Sequence, residues 1–167
     1  MRKVLLSLAP LATALIVFAA VLAYLFDNNP DLARWSLAIF LFGHGWVHVT
    51  YLLPQRNPAA QPISASDNPF RLDRSWMLGP SRVDAHSMRA LGTALVALVI
   101  IGFALAALAT IGVVVPATLW GGLVMVSAVG SLVLLGIFFS PELSLGLAID
   151  VALIWLVAVV HWQPIGG

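Results

Sequence analysis

Two imidazoles, His44 and His48, stand four residues apart in the run GHGWVHVTYLLP, and one carboxylate, Asp150, stands in LGLAIDVALI. A spacing of four places both histidines on one face of a helix, one turn apart. Such a pair is a recognised zinc-ligand arrangement, and Asp150 would add a third ligand while leaving a position open for water. On this reading His44, His48 and Asp150 hold a divalent metal such as zinc, although the glutamate that serves as base in H-E-x-x-H proteases is absent beside His44. A second reading is an acid/base pocket for a lipid-like substrate or quinone. Asp150 and His48 are then the catalytic candidates, with Trp46, Tyr51 and Trp155 lining the pocket. A third is a non-catalytic membrane subunit or scaffold whose polar layer fixes helix packing. Bis-histidine haem is disfavoured: both candidate axial ligands come from one helix, and His161 falls at the wrong depth to oppose them.

The surroundings of these groups are built for hydrocarbon. Of 167 residues, 61% are hydrophobic and 9% charged, and the mean hydropathy is +1.01. Soluble domains are roughly 45–50% apolar, so an integral membrane protein is expected. A net charge of +1 gives no footing for nucleic acid. The chain has neither a Gly-rich phosphate loop nor a G-x-S-x-G elbow, and with no cysteine it can form neither disulfides nor thiolate metal sites.

A helix crosses about 30 Å of hydrocarbon in roughly 20 residues. Five such runs occur, at about 4–26, 32–53, 88–111, 114–139 and 143–162, separated by DNNPD, a long loop at 54–87, GVVVPA and SPE. The expected fold is an all-α, five-helix, multi-pass bundle forming a single membrane domain. The first run follows Met1-Arg2-Lys3 and is long enough to cross as a span. Arg2, Lys3, Arg56, Arg71, Arg74, Arg82 and Arg89 fall on one side of an alternating arrangement and only Arg34 on the other, which predicts a cytoplasmic N-terminus and an external C-terminus in a cell membrane, the bacterial inner membrane. Trp35, Trp120 and Trp162 are then expected at the outer interface. The Pro-rich loop is expected to be extended, with Phe70, Trp76 and Leu78 dipping into the inner leaflet beside Arg71 and Arg74, or simply to be a solvated linker. Ser81-x-x-Asp84 reads as a capping box that starts the third helix and puts His86 in its first turns.

Counting about 1.5 Å per residue from the helix ends puts His48 about 8 Å deep, His44 about 14 Å, Asp150 about 10–11 Å and Ser131 about 12 Å, with Ser127 one turn beyond. One polar layer fed by three helices is expected. An embedded carboxylate costs about 2.5–3.5 kcal/mol at a helix centre, so Asp150 is expected to face the bundle and find a partner. The two serines are expected to act chiefly as small packing residues, and the glycines flanking His44 to admit a neighbouring backbone.

The run His44-Gly45-Trp46-Val47-His48, together with Ser131, FFSPELSLG and Gly146-x-x-x-Asp150, resembles the uncharacterised small bacterial multi-pass membrane proteins that carry an H-G-x-x-H motif. The likeness covers the second, fourth and fifth helices and departs at Asp150, where that family more often has Asn. It implies a shared pocket and names no reaction. A remoter likeness to DoxX-type or sterol-isomerase-type helical proteins rests on helix count and polar placement. The expected function is an intramembrane His/His/Asp site for a metal ion or a small amphipathic ligand, with a homo-oligomer or a membrane partner left open.

Overall fold

Asn29 and Pro30 make the first corner. Pro30 sits at the start of a helix, where its missing N–H costs nothing, and the Asn29 side chain accepts from the Leu32 N–H at 3.2 Å. In the computed structural model, which describes residues 2–53, 71–72, 75, 77–78, 83–140 and 143–164, this corner joins α1 (Arg2–Asn28) to α2 (Pro30–Val47). A 310 turn (His48–Leu52) continues α2, then come α3 (Ala85–Ile111), a second 310 turn (Ala117–Leu119), α4 (Trp120–Ile137) and α5 (Ser144–Ala158). The described residues contain no strand.

Other boundaries have equally local causes. Asp84, expected as the closing member of a capping box, is itself the N-cap of α3: its carboxylate accepts from the Ser87 N–H at 2.9 Å and the Ser87 O–H at 2.7 Å. Ser81 lies outside the described residues. The Ser87 hydroxyl, then its amide, hold the Asp84 carboxyl below the usual carboxylate range. A depressed pKa makes this cap complete at neutral pH and lost only as pH falls through the lowered value. At the other end of α3, Gly112 takes φ +69 and closes the helix from the left-handed region that glycine reaches without strain.

Sequential helices pack as neighbours, α1 on α2, α2 on α3, α3 on α4 and α4 on α5, while α2 and α5 make no extensive backbone contact. Contacts at the two ends show the helices alternating in direction. At one end Trp162 meets Phe26 and Trp120 edge-on at 4.9 and 5.5 Å, and the Arg34 Nε–H donates to the Pro164 carbonyl at 3.4 Å. At the other end Tyr51 packs with Leu134, Ile137, Phe138 and Leu143.

Among the described residues two helices, Ala85–Ile111 and Ala117–Ile137, are long and apolar enough to cross a membrane; Thr13–Asn28 and Ser144–Ala158 are shorter apolar helices. The last expected run breaks early: α5 ends at Ala158, His161 takes φ 53, and the Trp162 N–H turns back to the Leu156 carbonyl at 3.2 Å. Trp120 is no surface anchor. It is buried, and its indole N–H donates to the Thr110 hydroxyl at 3.0 Å.

In the loop, Phe70, Arg74 and Trp76 lie outside the described residues, as do 54–69. Leu72 and Ser75 are buried and Leu78 packs against the core, so this part of the segment closes the bundle end. The Ser75 O–H donates to the Ile137 carbonyl at 2.7 Å and its oxygen accepts from the Leu78 N–H at 3.0 Å, giving the last turn of α4 a partner for a carbonyl that has none within the helix.

The glycines flanking His44 differ. A Cβ on Gly45 would come to 2.7 Å from the Phe103 Cβ, whereas one on Gly43 meets nothing within 4 Å. Gly45→Ala should therefore lower stability in detergent by about 1–3 kcal/mol through overpacking, and Gly43→Ala should raise it by about 0.5–1 kcal/mol through helix propensity. Thermal unfolding of the two variants side by side checks the opposite signs.

Candidate functional site

α2 presents His44 and α5 presents Asp150 to the space between them. The His44 Nε2 and Asp150 Oδ1 lie 2.8 Å apart, with side-chain exposures of 8% and 0%. Because α2 and α5 are not packed backbone to backbone, these two side chains span the gap that their helices leave. The His44 ring is held in place by aromatic neighbours: Phe103 of α3 stands edge-on at 5.0 Å between ring centroids and Phe40 lies near-parallel at 6.2 Å, itself stacked on Phe18 of α1 at 5.0 Å.

His48 sits one turn on, where α2 tightens into the 310 turn. Its Nδ1 lies 3.1 Å from the His44 carbonyl and its Nε2 lies 3.1 Å from the Ser131 hydroxyl of α4. A carbonyl oxygen can only accept, so Nδ1 carries the hydrogen; a neutral ring then has a bare Nε2, and the Ser131 O–H donates to it. Tyr51 lies near-parallel to the His48 ring at 6.3 Å between centroids.

The expected single layer is thus two separate pairs, His44 with Asp150 and His48 with Ser131. The zinc arrangement expected of His44, His48 and Asp150 is not formed. His44 Nε2 and Asp150 Oδ1 are spent on each other at hydrogen-bond distance, too close for a bridging ion, and the His48 Nε2 is turned to Ser131 with its ring nearly perpendicular to that of His44. No three His, Cys, Asp or Glu side chains among the described residues are grouped to hold a metal.

Three further expectations are corrected. Trp46 and Trp155, expected to line a pocket, point outward with 56% exposure each, Trp46 stacking on Phe42 instead. Both lie off the faces that carry His44 and Asp150, a consequence of helical phase. Ser127 leaves the layer: its O–H donates to the Leu123 carbonyl of its own helix at 2.6 Å, and it fills the space a Cβ on Gly102 would need. Tyr51 and Ser131 do lie beside the histidines, and both are buried.

Sequence reasoning did not find Phe103 or Phe40 as the walls around His44. Phe103 lies in a helix that is apolar on all sides, so no periodicity marks which face meets α2. Ser75 was missed because a serine in a polar stretch carries no sign of the helix end it caps.

The remaining asymmetry is at Asp150. It is fully buried, its Oδ1 is taken by His44, and its Oδ2 is buried with no hydrogen-bond partner among the described residues. Buried polar atoms are satisfied in the great majority of cases, so this oxygen stands apart from the other polar atoms of the site.

No family model, curated protein or solved structure matches the chain.

The His48 assignment is open to direct measurement. Nitrogen-15 NMR of the histidine rings should find His48 neutral with its hydrogen on Nδ1, and Ser131→Ala should perturb its Nε2 and lower stability by about 0.6–3 kcal/mol. A His48 ring protonated on Nε2 would reverse the direction of the Ser131 bond.

Proposed function

We propose that the chain crosses a cell membrane five times, N-terminus inside, and binds a small amphipathic molecule at the His44–Asp150 pair. The carrying observation is the fully buried Asp150, with one oxygen paired and the other without a partner among the described residues. The apolar perimeter supports the membrane setting: Ile39, Phe42 and Trp46 on α2, Ile101 on α3, Val126, Val129 and Val133 on α4, and Val151 and Trp155 on α5 are all large, apolar and exposed. Scattered outward hydrophobics are ordinary, but a ring of them on successive helices suits lipid. α2 and its 310 extension together reach about 37 Å, at about 1.5 Å and 2.0 Å per residue. α5 reaches only about 22 Å, a mismatch that a thinned bilayer or the turned-back tail accommodates.

A second reading is favoured by the bonds that are complete. His48, Ser131 and Ser127 all have partners inside the bundle, as in a scaffold whose polar contacts fix helix register.

Topology is tested on the cysteine-free background. A membrane-impermeant maleimide added to intact cells should label Asn28→Cys and leave His86→Cys unlabelled until the cells are opened; the reverse pattern would invert the orientation, and labelling of both would remove the five-span arrangement. Ligand binding is tested by native mass spectrometry of the full chain in mild detergent. A nonprotein mass should accompany the wild type and be lost in Asp150→Leu. No added mass on the wild type, with stability changed in the variant, is the scaffold's signature.

A further inference from the structure

The two oxygens of Asp150 stand in unequal surroundings, and the inequality bears on what the site would accept. We propose, resting on the ligand-binding reading above, that it selects an amphipathic molecule whose head donates a hydrogen, a neutral alcohol-type hydroxyl, and discriminates against heads that can only accept, such as an ether or an ionised carboxylate.

The distance of 2.8 Å between His44 Nε2 and Asp150 Oδ1 requires a hydrogen between them. That hydrogen can belong formally to the imidazole or to the carboxyl, and in either case Oδ2 carries lone pairs and no hydrogen. Placing one on Oδ2 instead would bury a donor with no acceptor among the described residues, and orphaned buried donors are rarer than under-satisfied acceptors.

The neighbouring hydrogens are already committed. His48 Nδ1–H donates to the His44 carbonyl, Ser131 O–H to the His48 ring, and Ser127 O–H to the Leu123 carbonyl. None of these three turns onto Oδ2, and a hydroxyl on a bound molecule would supply the hydrogen that it lacks. An ether sets oxygen against oxygen, and an ionised carboxylate does the same while bringing its own charge into an apolar bundle. An apolar tail would lie beside the pair, between α2 and α5, whose backbones make no extensive contact.

The test compares three probes of equal chain length, dodecanol, methyl dodecyl ether and dodecanoate, titrated onto the delipidated full chain in detergent and read by native mass spectrometry. The wild type should bind dodecanol at least about tenfold more tightly than the ether, the difference one unmet buried hydrogen bond makes, with dodecanoate weakest. Asp150→Asn can turn its amide NH2 to where Oδ2 stands, so it should bring alcohol and ether to within about twofold of each other. Equal affinities for alcohol and ether in the wild type, or a preference for dodecanoate, would overturn the donor requirement while leaving ligand binding standing. Binding of none of the three would overturn both. Circular dichroism shows whether Asp150→Asn is folded; if it is not, the wild-type ratio alone decides.

Discussion

A carboxylate in an apolar helix bundle must have a partner, and the pairing of Asp150 with His44 is how this chain meets that requirement. Desolvating either group alone is costly, and the hydrogen bond between them recovers part of that cost only while α2 and α5 are held at one separation. The two helices do not pack on each other, so their spacing is set indirectly, through α3 and α4. Gly45 lets Phe103 of α3 come against α2, and Phe103 in turn braces the His44 ring.

The second pair has a different character. His48 is fixed by its own backbone on one side and by Ser131 on the other, and each polar atom of its ring is used. It joins α4 to the 310 end of α2 just where Tyr51, Leu72 and Ser75 close the bundle. Such an arrangement holds geometry. The His44–Asp150 pair also holds geometry, but it leaves Asp150 Oδ2 unspent, and that difference separates a structural contact from a candidate binding group.

Much of this was legible from residue types. Long apolar runs, the Asn29-Pro30 corner and the Gly112 stop announced helices and their limits, because those signals are local to the backbone. Depth counting along the helices brought Asp150 to the level of the histidines, since rise per residue is nearly constant. The same counting failed for Trp46 and Trp155, which share that level but point outward. Trp46 stands two residues from His44 and so falls off its face by helical phase, while Trp155 lies in α5, where hydrophobic periodicity is nearly absent and gives no sign of which way a residue faces.

The sequence by itself determined that polar groups would be few, embedded in apolar helices and obliged to find partners, because composition and helix rise set burial and depth without reference to any neighbour. Only the tertiary structure decided the partners: Asp150 with His44, Ser131 with His48, Ser127 with its own helix. Pairing depends on helix rotation and on how closely two backbones approach, and those follow from contacts such as Phe103 against Gly45, between residues distant in the chain whose spacing along it carries no record of their meeting.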